Sequence, residues 1–282
     1  MSGTLLSLTG VAKSFGDVDA LTHVDLEINS GQVIGLVGGN GAGKTTLLRL
    51  MAGVMEPTKG MILFGDQPVS QMRTKLGVVP ESTGLYSRLT AWENIRYHSR
   101  MYGIDDDVAW NRVSHFANKL DITDALSRHT KGFSRGMRQK TALLRALAHG
   151  PDILLLDEPT AGLDVTSART VRGLVGQLRD EGGTVIYSTH HLAEAQQVCD
   201  RIIIVHNGTI RADGTPEHLL EITGDATLED AYVTLTSDKA RARDEDNRKE
   251  GKLSKWWRLF LTGRTPKSNI SLLDMAEVDE DE

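Results

Sequence analysis

The sequence has little that would tie it to an oxidising compartment or place it inside a membrane. It contains one cysteine, Cys199, so no intramolecular disulfide can form and a reducing compartment is expected. No segment approaches the run of about twenty apolar residues that crosses a bilayer as a helix. The first ten residues also lack the basic start and long apolar stretch of a secretory signal. Any role at a membrane is therefore expected to depend on a partner protein.

An excess of positive charge is also missing. The formal net charge of the chain is −6, which argues against a general nucleic-acid binder. The composition is otherwise ordinary for a globular protein, with 39% hydrophobic and 25% charged residues. A length of 282 residues suits one substantial α/β domain with additions, and no internal repeat indicates a tandem duplication.

Short apolar runs recur along the chain at strand length. Several are continuously apolar, which is typical of strands covered on both faces, and helical patterns lie between them. We therefore predict an α/β fold with a mostly parallel sheet. Residues 5–15 and 20–28 precede it as half-buried strands of a small antiparallel sheet. The predicted core strands are residues 33–37, 76–79, 153–156, 185–187 and 202–205.

A helical subdomain is predicted as an insertion at about residues 82–150, where helices follow one another without clear strands. Its first helix begins at a capping box formed by Thr90 and Glu93. We predict one globular domain over residues 1–236, followed by a charged tail over 237–282.

The segment after the first core strand carries the pattern of a phosphate-binding loop. Glycines let such a backbone turn its N–H groups toward phosphate oxygens, and Lys44 adds a mobile positive charge. A helix starting at about Gly43 directs its positive end at the same phosphates, and Thr45 supplies a hydroxyl for Mg²⁺. The predicted ATP-binding residues are Gly38, Gly39, Asn40, Gly41, Ala42, Gly43, Lys44, Thr45 and Thr46.

Two carboxylates follow the apolar strand at residues 153–156. Asp157 is suited to hold Mg²⁺, and Glu158 is suited to polarise the water that attacks the γ-phosphate. Two acidic residues after a strand are also common helix caps, so the assignment depends on their pairing with the phosphate loop. Together the motifs predict a P-loop NTPase core.

Residues 133–140, Phe-Ser-Arg-Gly-Met-Arg-Gln-Lys, resemble the signature sequence of ABC ATPases, in the divergent form common in the ABC-2 export group. Arg135 replaces the family's usual second glycine and Met137 its usual glutamine, while Ser134 and Gly136 are kept. The resemblance implies that Ser134 and Gly136 contact the nucleotide bound by the opposite subunit. A capped helix start with exposed amides gives that role a physical basis.

Further segments match the family pattern in order. Phe15 is at the position of the aromatic residue that stacks on adenine, and His190 is at the switch histidine that contacts the γ-phosphate. Glu81 replaces the glutamine of the family's glutamine loop, which leaves open whether it touches Mg²⁺ or senses the transmembrane partner. Residues 162–164 resemble the loop through which subunits communicate, and residues 228–232 resemble the closing helix of ABC-2 exporter ATPases.

The resemblance spans residues 5–236 and implies an ATPase subunit that drives export through a separate transmembrane permease. The drug- or sodium-exporter branch fits best. Glu158, His190 and Lys44 are implied as catalytic residues, with ATP and Mg²⁺ as cofactors. A second ATPase subunit is required, and a homodimer is favoured because every hydrolytic motif is present in this chain. The implied location is the cytoplasmic face of the cell membrane.

Two other functions compete with this interpretation. An ABC ATPase acting on nucleic acid or the ribosome usually carries two cassettes or long coiled coils, whereas this chain has one cassette and no heptads between residues 46 and 153. A small-molecule kinase would leave the signature and switch motifs unexplained.

In the tail, the aromatic and basic segment 252–261 suits a membrane–water boundary, or docking of a short helix on the core.

Overall fold

The computed structural model of the protein describes residues 4–237. One compact unit ends at Leu235, and the segment 252–261 lies outside the described residues. The strands are β1 Thr4–Phe15, β2 Val18–Asn29, β3 Val33–Val37, β4 Lys59–Phe64, β5 Gln67–Pro68, β6 Leu76–Val79, β7 Ile153–Asp157, β8 Thr184–Thr189, β9 Arg201–His206 and β10 Thr209–Gly214. The helices are α1 Lys44–Met51, α2 Ala91–Met101, α3 Asp106–Lys119, α4 Arg135–Leu147, α5 Val165–Asp180, α6 Leu192–Val198, α7 Pro216–Thr223 and α8 Leu228–Thr236.

The strands form one mixed sheet in the order β5-β4-β1-β2-β10-β9-β3-β8-β7-β6. β6, β7, β8, β3 and β9 are parallel, whereas β5, β4, β1 and β2 are antiparallel. The two parts meet where β10 pairs with β2 at Thr209 and His23. The predicted core strands and the antiparallel N-terminal strands are confirmed. β4 and β5 were not predicted; three of the six residues of β4 and both residues of β5 are exposed.

The parallel strands are buried on both faces. Along β3, Val33 and Val37 belong to one hydrophobic core, while Ile34 and Leu36 belong to the other. Every residue of β3, β7 and β8 is buried. Full burial of such a side chain contributes about 1.5–3 kcal/mol. Two separate cores therefore fix this part of the sheet and the loops at its carboxyl edge.

The inserted helical subdomain consists of α2, α3 and α4, which pack on one another. The predicted capping box is confirmed: the Glu93 amide donates to Thr90 Oγ1 at 3.1 Å, and the Thr90 amide donates to Glu93 Oε2 at 2.8 Å. Trp92 and Trp110 join α2 to α3 by an edge-to-face contact, with ring centroids 4.8 Å apart. Among residues 4–237, no helix is both long and apolar enough to cross a membrane.

A cluster of imidazole and phenol rings lies between α2 and the end of α4. Tyr102 stacks on His149 with ring centroids 4.3 Å apart, and the His98 ring lies 4.9 Å from Tyr102. Nδ1 of His98 and Nδ1 of His149 are buried, and neither has a hydrogen-bond partner among residues 4–237. Burial lowers the pKa of His98 from its ordinary 6.5 to about 4, and the charges of Arg145 and His149 act in the same direction. His98 is therefore neutral at neutral pH.

This buried neutral ring predicts a loss of stability in mild acid. Between pH 6.5 and about 4, the unfolded chain binds a proton at His98 that the folded chain does not, so the free energy of unfolding falls as the pH falls. We expect His98→Gln to remove about 2 kcal/mol of this pH dependence, after allowing for the partial exposure of the ring. Urea unfolding at pH 7 and pH 4.5 measures the effect. His218→Gln is the control, since its side chain is 53% exposed, and equal pH dependence in wild type and His98→Gln would contradict the prediction.

Candidate functional site

The loop between β3 and α1 surrounds a cavity of about 430 Å³. The loop can take this shape because Gly43, the N-cap of α1, has φ 108°, and a Cβ there would lie 2.9 Å from the carbonyl oxygen of Ala20. The positive end of α1 therefore faces the cavity. The cavity is lined by Ala20, Gly39, Asn40, Gly41, Ala42, Gly43, Lys44, Thr45, Thr46, Glu81, Glu158, Ala161 and His190.

Glu158 lies at the centre of the charged groups in this cavity. Its Oε1 is 3.4 Å from Lys44 Nζ, and its Oε2 is 2.9 Å from His190 Nδ1. The Glu158 side chain is only 13% exposed, and its backbone has φ 48° immediately after β7. The structure therefore brings together the three residues that the sequence analysis singled out as catalytic: Lys44 from α1, Glu158 after β7 and His190 after β8.

Lys44 is held by the loop itself as well as by Glu158. Its Nζ donates to the carbonyl oxygen of Gly38 at 2.7 Å and to that of Gly39 at 3.2 Å. The Lys44 side chain is almost fully buried. The arrangement places a buried cation beside the amides of the loop, which suits binding of a polyphosphate.

A smaller adjoining cavity of about 170 Å³ is lined in part by Thr45, Glu81 and Asp157. Asp157 Oδ1 is buried and has no hydrogen-bond partner in the described part of the chain. An unpaired buried carboxylate oxygen is costly unless it meets a cation or a donor. Carboxylate and hydroxyl oxygens are the ligands that Mg²⁺ prefers, so these three residues fit a magnesium ion. Glu81 lines both cavities.

Phe15 lies apart from the phosphate cavity. It ends β1, is 48% exposed and does not line either cavity described above. Lys13 Nζ lies 5.2 Å from the centre of the Phe15 ring and donates to the carbonyl oxygen of Glu56. One face of the exposed ring is therefore in a cation–π contact with Lys13.

The signature segment does not line the phosphate cavity of its own chain. Ser134 is exposed and caps α4, accepting from the Met137 amide at 3.1 Å. Gly136 is buried against α5, where a Cβ would lie 2.6 Å from Ser167 Oγ. Ser167 in turn donates to Asp164 Oδ2 at 2.7 Å. The first turn of α4 is thus packed on the start of α5, while the capping residue Ser134 faces solvent.

The segment that follows Glu81 is fixed to the helical insertion. Arg145 on α4 donates to the carbonyl oxygens of Thr83 at 2.8 Å and Gly84 at 3.1 Å. Asn94 on α2 is buried and bonds both backbone groups of Tyr86. These contacts connect a residue of the cavity, Glu81, to two helices of the insertion.

Tyr232 is a site residue that the sequence analysis did not identify. The residues 228–232 suggested a closing helix, but nothing in them indicated a contact with the phosphate loop. In the structure, the Gly39 amide donates to Tyr232 Oη at 3.1 Å. This contact joins positions 193 residues apart, and no local sequence signal could have revealed it.

Comparison with known proteins agrees with this geometry. Residues 21–161 match the family model described as ABC transporter. The chain is 41% identical over 226 residues to the ABC transporter ATP-binding protein NatA of Bacillus subtilis, covering 77% of this chain and 92% of that protein. It is 33% identical over 244 residues to the ABC-type transporter ATP-binding protein EcsA of the same organism, covering 84% and 98%.

Solved structures show the same relationship. The ATP-binding subunit of an ABC transporter superposes with a TM-score of 0.77 at 30% identity, covering 83% of this chain and 100% of that chain. The dimeric cassette MJ0796 in a post-hydrolysis state bound to ADP and Pi superposes with a TM-score of 0.68 at 25% identity, covering 74% and 98%. The family match, the relatives and the shared fold therefore lead to one conclusion: the chain belongs to the ABC transporter family, as an ATP-binding and ATP-hydrolysing subunit.

Proposed function

We propose that this chain hydrolyses ATP with Glu158, His190 and Lys44 as its catalytic residues and powers export through a separate membrane-spanning subunit. The observation that supports the assignment most directly is the position of Glu158, whose two carboxylate oxygens meet Lys44 and His190. A comparison of ATP binding and ATP turnover in Glu158→Gln tests it. Retained binding with lost turnover supports the assignment, whereas normal turnover contradicts it.

The proposed chemistry follows from the charges of the three groups. Phosphoryl transfer mainly needs positioning and charge stabilisation, because the transferred group passes through a loose transition state. Lys44 supplies positive charge to the phosphates, and Glu158 accepts a hydrogen bond from the attacking water and so orients and polarises it. With a proton on each ring nitrogen, His190 can donate to a carboxylate through one nitrogen and to a phosphate oxygen through the other. The 2.9 Å contact with Glu158 uses Nδ1, which leaves Nε2 for phosphate.

Thr45, Asp157 and Glu81 are proposed to hold Mg²⁺ next to the phosphate loop. The ion supplies charge neutralisation for the β- and γ-phosphate oxygens when it is bound. The unpaired buried oxygen of Asp157 supports this assignment. Thr45, in the first turn of α1, and Glu81, after β6, contribute a hydroxyl and a second carboxylate to the same cavity.

Two copies of the chain are proposed to form the active unit. Ser134 and Gly136 lie away from the phosphate cavity of their own chain, so a second copy would have to bring its signature helix to this cavity. The dimeric MJ0796 structure, captured with ADP and Pi, supports a dimer as the hydrolytic form. A homodimer is the simpler assembly, because this chain carries both the phosphate loop and the signature helix.

The proposed docking surface for the membrane-spanning subunit is an aromatic patch on the insertion, formed by Tyr86, Tyr97 and Met101. These side chains are 57%, 51% and 69% exposed. The rings of Tyr86 and Tyr97 meet edge to face at 5.6 Å, and Met101 follows Tyr97 by one helical turn. Exposed apolar residues gathered in this way mark interaction surfaces. The patch includes Tyr86 of the segment that Arg145 and Asn94 hold near Glu81, which supports communication with the nucleotide.

We expect the double change Tyr97→Asp with Met101→Asp to lower recovery of the full chain with source-cell membranes by about tenfold, a loss of about 1.4 kcal/mol of binding free energy. ATP turnover by the purified chain should stay unchanged, because neither residue lines the nucleotide cavity. The matched control is Met61→Asp with Ile222→Asp, at side chains 56% and 53% exposed outside the insertion. Equal membrane recovery in both double variants would exclude this patch as the docking surface.

The aromatic and basic segment 252–261 is proposed to add a second, weaker attachment at the membrane surface. Tryptophan and basic side chains suit the headgroup region, and an extra contact raises the effective concentration of the subunit near its partner. The proposal is supported by the sequence alone, because this segment lies outside the described residues. We accordingly propose a location on the cytoplasmic face of the membrane, beside the partner subunit.

A further inference from the structure

Glu194 is a buried carboxylate that the proposed chemistry does not use. It lies on α6, four residues after His190, and is 8% exposed. Its Oε1 accepts from Arg172 Nη1 on α5 at 3.1 Å. It does not line the phosphate cavity. A charged carboxylate is kept at such a position only when its oxygens are well paired, so its other contacts show what it holds in place.

One of these contacts fixes the backbone around His190. Thr189 Oγ1 donates to Glu194 Oε2 at 3.1 Å and accepts from the His191 amide at 3.1 Å. Thr189 is 1% exposed, so this hydroxyl has no access to water as an alternative partner. The residues on both sides of His190 are therefore tied, through one hydroxyl, to the Glu194 carboxylate.

A second contact fixes the chain that follows Glu158. Thr160 Oγ1 donates to Glu194 Oε2 at 2.9 Å. Because Thr160 has a single hydroxyl hydrogen, the Tyr187 hydroxyl, 3.2 Å away, must be the donor in its contact with Thr160. Burial, with a further contribution from the Glu194 charge, raises the pKa of Tyr187, so its phenol keeps the proton that it donates. The Ala161 amide donates to the Glu158 carbonyl at 3.1 Å and closes the intervening turn.

We infer that Glu194 is a positioning residue, which holds the loop of His190 and the loop of Glu158 together so that His190 Nδ1 meets the Glu158 carboxylate. This inference rests on the proposed catalytic roles of His190 and Glu158. The same Glu194 oxygen accepts a hydrogen bond from both threonine hydroxyls, so a displacement of one loop also displaces the other. Small misplacements of reacting groups have large effects on rate, whereas nucleotide binding depends mainly on the phosphate loop.

The test compares the full-length chain with its Glu194→Gln, Thr189→Val and Thr160→Val variants, which nearly preserve shape. We expect Glu194→Gln to lower kcat by about 10- to 100-fold and to leave KM for ATP within about threefold. The two valine variants should each lower kcat in the same way. The double variant Thr189→Val with Glu194→Gln should have a kcat no lower than that of the slower single variant, because both changes disrupt the same hydrogen bond. Assays are run well below the melting temperature of each variant.

Two parallel variants make the outcomes distinguishable. Glu221→Gln is the matched control, since its side chain is 85% exposed on α7, and it should keep the wild-type kcat. Glu158→Gln tests the proposed catalytic role itself. If its turnover is normal, the proposed function is wrong, whatever the result for Glu194→Gln. If Glu158→Gln is inactive while Glu194→Gln keeps its kcat, or changes only KM or the melting temperature, Glu194 has a structural role and the inference is wrong. If the reductions in kcat caused by Thr189→Val and Glu194→Gln multiply in the double variant, the inference is also wrong.

Discussion

Replacing Glu158 by glutamine is expected to lower ATP turnover by about 10²- to 10⁴-fold while ATP binding is kept. The amide retains the size of the side chain and still reaches Lys44 and His190, which lie 3.4 Å and 2.9 Å from the carboxylate oxygens. It is a far weaker base and cannot polarise a water molecule as a carboxylate does. Phosphate release measures turnover, and calorimetric titration with ATP measures binding.

The same variant should accumulate as an ATP-bound dimer, because we propose that the two subunits separate only after ATP is hydrolysed. Size-exclusion chromatography with and without ATP shows this directly. Glu217→Gln, at an exposed position on α7, is the matched carboxylate-to-amide control. Turnover close to wild type in Glu158→Gln would remove Glu158 from its catalytic role, and a general loss of ATP affinity would assign it to binding instead.

The second large effect is expected at Ser134, where Ser134→Ala should lower turnover by at least about tenfold without weakening ATP binding by dilute chain. In the proposed dimer, the start of α4 meets the nucleotide of the partner, so loss of its hydroxyl affects only the assembled site. The change also removes an N-cap, since Ser134 accepts from the Met137 amide. That loss lowers stability by about 1 kcal/mol.

Thr215→Ala provides the control for the lost cap. Thr215 is likewise an exposed N-cap, and it accepts from the His218 amide at 3.2 Å to begin α7. Both variants should lose similar thermal stability, but only Ser134→Ala should lose turnover. A similar loss of turnover in both would mean that the cap, rather than the composite site, explains the result. Reduced ATP affinity in dilute Ser134→Ala chain would contradict the partner-site assignment.

The structure also limits what a substitution at Gly136 can test. The sequence analysis assigns Gly136 to contact with the opposite nucleotide, for which a bulky substitution would be the obvious test. A Cβ at this position would lie 2.6 Å from Ser167 Oγ, within the same chain. Substitution would therefore disturb the start of α5 whether or not a partner binds. Ser134 is the better position for testing the contact with the partner's nucleotide, because its side chain is exposed.

Much of the fold could be predicted because its signals are local. Strands such as β3 and β7 are continuous apolar runs, since both faces of the parallel sheet are covered. The capping box at Thr90 and Glu93 is likewise complete within four residues. β4 was not predicted, because three of its six residues are exposed and it pairs with β1, whose residues are far away in the sequence.

The chemistry of the phosphate loop and of the carboxylate pair could be predicted from the sequence, because these residues are consecutive and their spacing dictates the local backbone. The sequence also placed His190 directly after a strand. The position of Glu158 between Lys44 and His190 could not be predicted in this way, since it depends on β7 and β8 lying side by side with β3 next to β8. The contacts of Tyr232 with Gly39 and of Glu194 with Thr160 also depend on the fold. They join segments far apart in the chain, and the pairing of distant hydroxyls, amides and carboxylates is set by packing rather than by local pattern.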